Sequence, residues 1–210
     1  MGSPTTSDHP VGAVLFDADG VVQTTPAGWV EAIAEFVDGE GGERFRDEVF
    51  AAERPAMAGE MGFAPVLAGV AGRWGLSDRL DELLDHWFRI QVSHPTVDVV
   101  QELRAEGVRC YLVTNQHDHR ARCMRSELGY DELFDGQFYS CDLGVMKPAS
   151  GYFESVLRSV QLPPASAVLV DDQERNVREA EGLGLRGMRW SVDDGARELR
   201  TRLRLLGLPV

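Results

Sequence analysis

The sequence predicts an α/β fold with a mostly parallel sheet and one inserted helical module. Three observations predict it: apolar runs that stop abruptly on polar residues, helical spacing between those runs, and one long stretch with helical spacing only.

The first run, VGAVLFDAD at 11–19, is continuous and ends on Asp17 and Asp19, as expected of a central parallel strand. Residues 21–94 then break the alternation. AGWVEAIAEFV, GERFRDEVFAAE and SDRLDELLDHWFRIQV are amphipathic, Pro55, Pro65 and clustered glycines punctuate the stretch, and no convincing strand appears. TVDVVQELRAEG returns to helical spacing and stops at Gly107, and VRCYLVTN at 108–115 reads as the second strand. A helix over 117–128 precedes a shorter strand in GQFYSCDLG at 136–144. The helical ASGYFESVLRSVQL leads through Pro163-Pro164 to a third buried strand, AVLVDD at 167–172. A helix at 174–184, a strand RGMRW at 186–190 and a helix at 193–206 complete the chain. The expected organisation is a flexible lead-in at 1–10, a core from 11–20 and 95–210, and the helical insertion at 21–94.

Composition narrows the partners. The 210 residues carry 34 acidic against 21 basic side chains, a net charge of −13, which disfavours nucleic acid and anionic membrane surfaces. A small anionic substrate stays open, because a metal or lysine can reverse the field in one pocket. No apolar run approaches a membrane span, and MGSPTTSDHP lacks the basic-then-apolar order of a secretory signal. Three widely spaced cysteines, Cys110, Cys123 and Cys141, argue against a disulfide framework and for a cytoplasmic setting.

Ligands of parallel sheets bind at the strands' carboxyl ends. Those ends deliver Asp17 and Asp19, Thr114 and Asn115, and Asp171 and Asp172 to one edge, with Lys147 following the short strand in GVMKPASGYF. Four converging carboxylates repel one another, and a hard divalent ion such as Mg²⁺ resolves that. Asp17 and Asp19, two apart on a strand, point to the same face and suit a nucleophile and a proton carrier beside a metal. Taken singly, each motif has a plainer reading: an Asp-Gly turn, an N-cap at Asp171-Asp172, a surface lysine, a helix cap at Thr114-Asn115. Their joint arrival at strand ends makes the case for a site.

LFDADGVV, YLVTN, MKP and VLVDDQERNV resemble the four motifs of the haloacid dehalogenase-like hydrolases, and the resemblance covers nearly the whole chain. It implies a Rossmann-like parallel-sheet core with an inserted helical-bundle cap between the first two motifs. It also implies that Asp17 is a nucleophile forming an aspartyl phosphate and that Asp19 protonates the leaving alcohol and later activates water, which asks for a pocket that favours a protonated Asp19. Thr114, Asn115 and Lys147 would hold the phosphate. Asp17, the Asp19 carbonyl and Asp172 with Asp171 beside it would hold Mg²⁺, and Asn176 would fix that loop. Which of Asp171 and Asp172 touches the metal is open. Asp19 argues against a dehalogenase, which lacks an acid there. VQTTPAGWVEAI lacks the cap histidine usual in the sugar phosphomutases of the family. A phosphatase acting on a small phosphorylated metabolite is therefore expected, with a mutase or a catalytically silent binding module as the alternatives.

Other signals have plainer readings. GLGLRG at 182–187 leaves a helix and enters a strand, the reverse of a dinucleotide fingerprint. His117, His119 and Cys123 share a helix face but lack a fourth ligand nearby, so surface or capping roles are expected rather than zinc. Cys110 and Cys141 read as small core residues in strands, and Trp29, Trp74 and Trp87 as packing within the insertion.

Overall fold

A computed structural model describes residues 10–210, so the lead-in expected at 1–10 lies, but for Pro10, outside the described residues. Five parallel strands form the central sheet: β1 (Ala13–Phe16), β4 (Arg109–Thr114), β5 (Gly136–Tyr139), β6 (Ala167–Asp171) and β7 (Arg186–Arg189). Their order is β5-β4-β1-β6-β7, with β1 central. All four β1 side chains are fully buried. Their two-residue period sends Val14 and Phe16 into one apolar layer and Ala13 and Leu15 into the other.

The first layer packs beneath α5 (His94–Ala105), α6 (Asp118–Ser126) and α11 (Ala196–Leu205), and the second beneath α9 (Ser150–Val160) and α10 (Glu174–Gly182). Pro95 starts α5 where no intrahelical donor is required. Gly107 ends it at φ 82°, with Val108 N–H donating to the Leu103 carbonyl. The α/β class predicted from the sequence is the one observed.

The stretch expected as the insertion, 21–94, is helical between its two ends. Its helices are α1 (Trp29–Ala34), α2 (Gly42–Met57), α3 (Phe63–Arg73) and α4 (Leu80–His86). They enclose their own apolar cluster, which includes Trp29, Ile33, Phe45, Phe63, Leu67, Leu83 and Trp87. Contrary to the expectation of no strand here, β2 (Gln23–Thr24) and β3 (Gln91–Val92) pair antiparallel where the chain leaves and re-enters the core. Two residues each are too few to show an alternating pattern. Pro55 does not punctuate either: it lies in the last turns of α2. Pro65 sits in the first turn of α3, where its missing N–H costs nothing. Two short helices complete the chain, α7 (Tyr130–Leu133) and α8 (Ser140–Leu143). Cys141 therefore lies in a helix rather than the expected strand. No helix among the described residues is long and apolar enough to cross a membrane.

The insertion seats on the start of α6. Phe63 stacks on His117 with ring centroids 3.8 Å apart, and Phe63 N–H donates to Asp118 Oδ1 at 2.8 Å. His119 stacks on Phe88 and contacts the Leu84 carbonyl. Both histidines are buried, so the expected surface role fails; His117 does cap α6, accepting from Arg120 N–H. Trp29 and Trp87 pack against each other and His86 inside the insertion.

Candidate active site

Register explains the convergence. Phe16 pairs with Leu112 on one side and Val170 on the other, so the residues after these strands emerge at one edge. Asp17 N–H donates to the Val170 carbonyl at 2.9 Å, which places its side chain beside Asp171. Asp17, Asp171 and Asp172 each offer a carboxylate oxygen within 4.8 Å of the others.

Lys147 joins the first two. Its Nζ lies 2.8 Å from Asp17 Oδ1 and 2.7 Å from Asp171 Oδ2, and donates to the Val113 carbonyl at 2.9 Å. Only 1% of the lysine side chain is exposed. Asn115 braces that lysine: its amide accepts from Lys147 N–H at 2.8 Å and donates to the Lys147 carbonyl at 2.9 Å. Burial pushes the Asp17 carboxyl up to about 8; Lys147 opposes the rise, and Asp171 and Asp19 add to it. One ammonium between two buried carboxylates leaves surplus negative charge, and a proton on Asp17 removes it. The same two carboxylates hold the Lys147 ammonium above its ordinary range against its own burial.

Asp171 and Asp172 differ in what remains open to a metal. Asp171 accepts from Lys147, from Gln173 N–H at 2.9 Å, and from Asn176 Nδ2 at 2.9 and 3.0 Å. Asp172 is half-buried, accepts from the Gln173 side chain at 2.7 Å, and has its carboxyl pushed up chiefly by burial. Asn176 Oδ1 is buried without a hydrogen-bond partner among the described residues. An oxygen-only donor set with surplus negative charge and an unused buried acceptor fits a hydrated hard cation such as Mg²⁺. Gly20 fits closely: at φ 82° it lies under Asp172, and an added Cβ would sit 2.9 Å from that carboxyl carbon.

Asp19 faces a different set of partners. Arg120 donates to both of its oxygens at 2.8 Å, Gln116 Nε2 to Oδ2 at 2.6 Å, and Gln23 Nε2 to Oδ1 at 3.0 Å. Tyr130 in turn donates to Gln23 at 3.0 Å. Thr114 is buried, and its hydroxyl accepts weakly from Gln116 at 3.4 Å. Instead of a pocket poor in donors, Asp19 occupies a clamp of four. Sequence reasoning missed Arg120, Gln116 and Gln23; the only signal was their proximity in sequence to YLVTN and DADGVV.

A cavity of about 370 Å³ is lined by Asp17, Asp19, Thr114, Asn115, Lys147, Asp172 and Asn176, among others. Asn115, Lys147 and Arg175 also line a larger neighbour of about 760 Å³, walled by Arg54, Pro55, Ala58 and Glu60 of the insertion side and by the 144–149 loop. Every residue named for the site from the sequence lines the smaller cavity except Asp171, which stands behind it on Lys147.

Residues 11–184 match the family described as haloacid dehalogenase-like hydrolase. A sesquiterpene phosphatase, astK, of Aspergillus oryzae is 34% identical over 93 residues, 43% of this chain and 46% of that protein. A drimenol cyclase, drtB, of Aspergillus calidoustus is 34% identical over 71 residues, 34% of this chain and 13% of that protein. The chain thus spans less than half the length of either relative. Among solved structures, a HAD family enzyme of Bacteroides thetaiotaomicron in its magnesium complex has a TM-score of 0.77 at 18% identity, covering 90% of this chain and 98% of that one. L-2-haloacid dehalogenase of Xanthobacter autotrophicus has a TM-score of 0.60 at 21% identity, covering 91% and 83%. These two likenesses concern the fold.

Proposed function

Because the chain belongs to the haloacid dehalogenase-like hydrolases, we propose that it is a Mg²⁺-dependent phosphatase that hydrolyses a small phosphorylated metabolite through an aspartyl phosphate. The observation that carries this reading is Asp17: a buried carboxylate at a central strand end, 2.8 Å from a buried lysine and facing two further carboxylates.

In this reading Asp17 attacks phosphorus, and Lys147 balances the charge between nucleophile and phosphoryl oxygens. The Thr114 hydroxyl donates to a phosphoryl oxygen. Asn115 acts through its brace on Lys147 and through its backbone at the strand end. Asp17, Asp172 and the Asp19 carbonyl would hold Mg²⁺, with Asp171 and Asn176 fixing the lysine and the loop. Bound there, the ion supplies the positive charge that keeps Asp17 ionised and offsets charge on the phosphoryl group. Asp19 takes a proton from the water that releases phosphate. The insertion acts as a cap, placing Arg54, Pro55, Ala58 and Glu60 over the leaving-group side of the cavity.

The name of the Aspergillus oryzae relative puts sesquiterpenyl phosphates on the substrate panel. The free state of all three cysteines supports a reducing cytoplasm. The test is p-nitrophenyl phosphate turnover by the metal-free protein with and without added Mg²⁺. Activity that appears only with the ion is expected; turnover indifferent to chelation contradicts the reading. No turnover of any phosphate ester, with tight ligand binding, favours a binding module instead.

A further inference from the structure

His117, just before α6 in the core, is fully buried against Phe63 and Trp87 of the insertion. Its Nε2 has no hydrogen-bond partner among the described residues and faces Glu53 of α2. We propose that Glu53 and His117 are positioning residues. Their contact fixes the end of α2 over the larger cavity, and so sets how well the site takes esters whose leaving group extends beyond the phosphoryl oxygens. The inference deepens the phosphatase reading and rests on the nucleophilic role of Asp17.

The tautomer of His117 follows from its capping bond. Nδ1 accepts from Arg120 N–H at 3.2 Å, so in the neutral ring the hydrogen sits on Nε2. Nε2 lies 3.3 Å from Glu53 Oε1, near enough for attraction but out of line for a hydrogen bond. The rings packed against it offer no oxygen: the Phe63 centroid is 3.8 Å away, stacked, and that of Trp87 6.2 Å away, edgewise. Trp87 Nε1 itself donates to the same Glu53 oxygen at 3.0 Å. One carboxylate oxygen thus gathers an indole N–H of the insertion and an imidazole N–H of the core. Its loss would leave a buried donor unpaired on each side of the junction.

The consequence travels along α2. Arg54 and Pro55 directly follow Glu53, and Ala58 lies one turn after Arg54; all three wall the larger cavity. Pro55 has no N–H to return to the Ala51 carbonyl, so its turn is tied to the helix less than an ordinary one. Contacts from outside hold it instead. At the far end Gly59, at φ 72°, lies against α8 so closely that an added Cβ would be 2.2 Å from the Cys141 carbonyl oxygen. Glu53 on His117 and Gly59 on α8 therefore bracket the wall. A displacement of about 1 Å there is enough to spoil contacts with a leaving group. The phosphoryl side is insulated from it, because Thr114, Asn115 and Lys147 line the smaller cavity from the core.

Two probes separate the wall from the phosphoryl side in the full-length protein with Mg²⁺. Acetyl phosphate and p-nitrophenyl phosphate both depart without a strong acid, but acetate is small and the aryl ring reaches into the larger cavity. The readout is the ratio of kcat/KM for p-nitrophenyl phosphate to that for acetyl phosphate, which does not depend on the folded fraction of a sample. Glu53→Leu and His117→Asn break the contact from its two sides, and the asparagine keeps an acceptor for Arg120 N–H. Each should lower the ratio by about ten-fold, with acetyl phosphate turnover changed by about two-fold at most. The double variant should lower it little further than either alone. Glu53→Gln keeps an oxygen for both donors and should hold the ratio within about two-fold of wild type. A ratio that neither Glu53→Leu nor His117→Asn moves overturns the proposal. So does an equal fall for acetyl phosphate, or a glutamine variant as poor as the leucine one. If such a result comes with Mg²⁺-dependent turnover of both probes by the wild-type protein, the phosphatase reading stands while this inference falls. No wild-type turnover of either probe sinks both.

Discussion

Lys147 and Arg120 stand on either side of one strand end and serve its two aspartates in opposite ways. Lys147 divides one ammonium between Asp17 and Asp171, both buried. Arg120 gives both terminal guanidinium nitrogens to Asp19, whose side chain is 41% exposed and has two amides besides. The first group has more negative than positive charge, which a bound cation would offset. The second is already balanced. Two carboxylates two residues apart thus have different chemistry because their cations are shared differently.

The sharpest break of this comparison is Asp17→Asn. If Asp17 is the nucleophile, turnover of p-nitrophenyl phosphate falls by roughly 10⁴-fold or more. Retained activity in that variant assigns the chemistry elsewhere.

Lys147→Met tests whether the ammonium is what allows two carboxylates to be buried together. Breaking a buried ion pair from one side costs about 3–5 kcal/mol. Denaturant unfolding of the metal-free protein measures it, and a loss below ~1 kcal/mol contradicts the shared-ammonium account.

The pH dependence sharpens the same point. Asp17 has its carboxyl raised from an ordinary 3.8 to about 8 in the folded protein. The native state therefore holds a proton that the unfolded chain loses first, so this contribution to stability is present at low pH and declines as pH rises from about 4 towards 8. Thermal midpoints of the metal-free protein should fall over that window relative to Asp17→Asn, and Mg²⁺ should reduce the fall by displacing the proton. A difference between the two proteins that grows in the opposite direction refutes the charge surplus.

Arg120→Met has the smallest expected effect on stability, about 1 kcal/mol, because water can replace donors on the partly exposed Asp19. Its diagnostic effect is on activity: Arg120 holds both Asp19 oxygens in place, so p-nitrophenyl phosphate kcat with Mg²⁺ should fall by about ten-fold with KM little changed. An unchanged kcat means that the reaction does not use the position in which the clamp holds Asp19.

How much of this was legible follows from the range of each interaction. β1, β4 and β6 were legible because strands buried on both faces are continuous apolar runs, and their polar ends then had to share an edge. The helical insertion was legible as amphipathic spacing, although α3 was obscured by Pro65, Gly69 and Gly72. β2 and β3 were too short to leave a pattern. The Asp19 clamp was not legible, since Arg120 lies 101 residues along the chain and arrives only through packing of α6. Asn115 shows a different limit. Its position was readable, but whether its side chain faces a ligand or the Lys147 backbone is decided by the fold of the 144–149 loop.

The most direct measurement of the central assignment is acid-quenched trapping of the phosphoryl group from a ³²P-labelled substrate, followed by mapping of the labelled peptide. Label on Asp17, lost in Asp17→Asn, is the expected result. Full release of phosphate with no acid-stable acyl phosphate, or with label on another residue, contradicts the account.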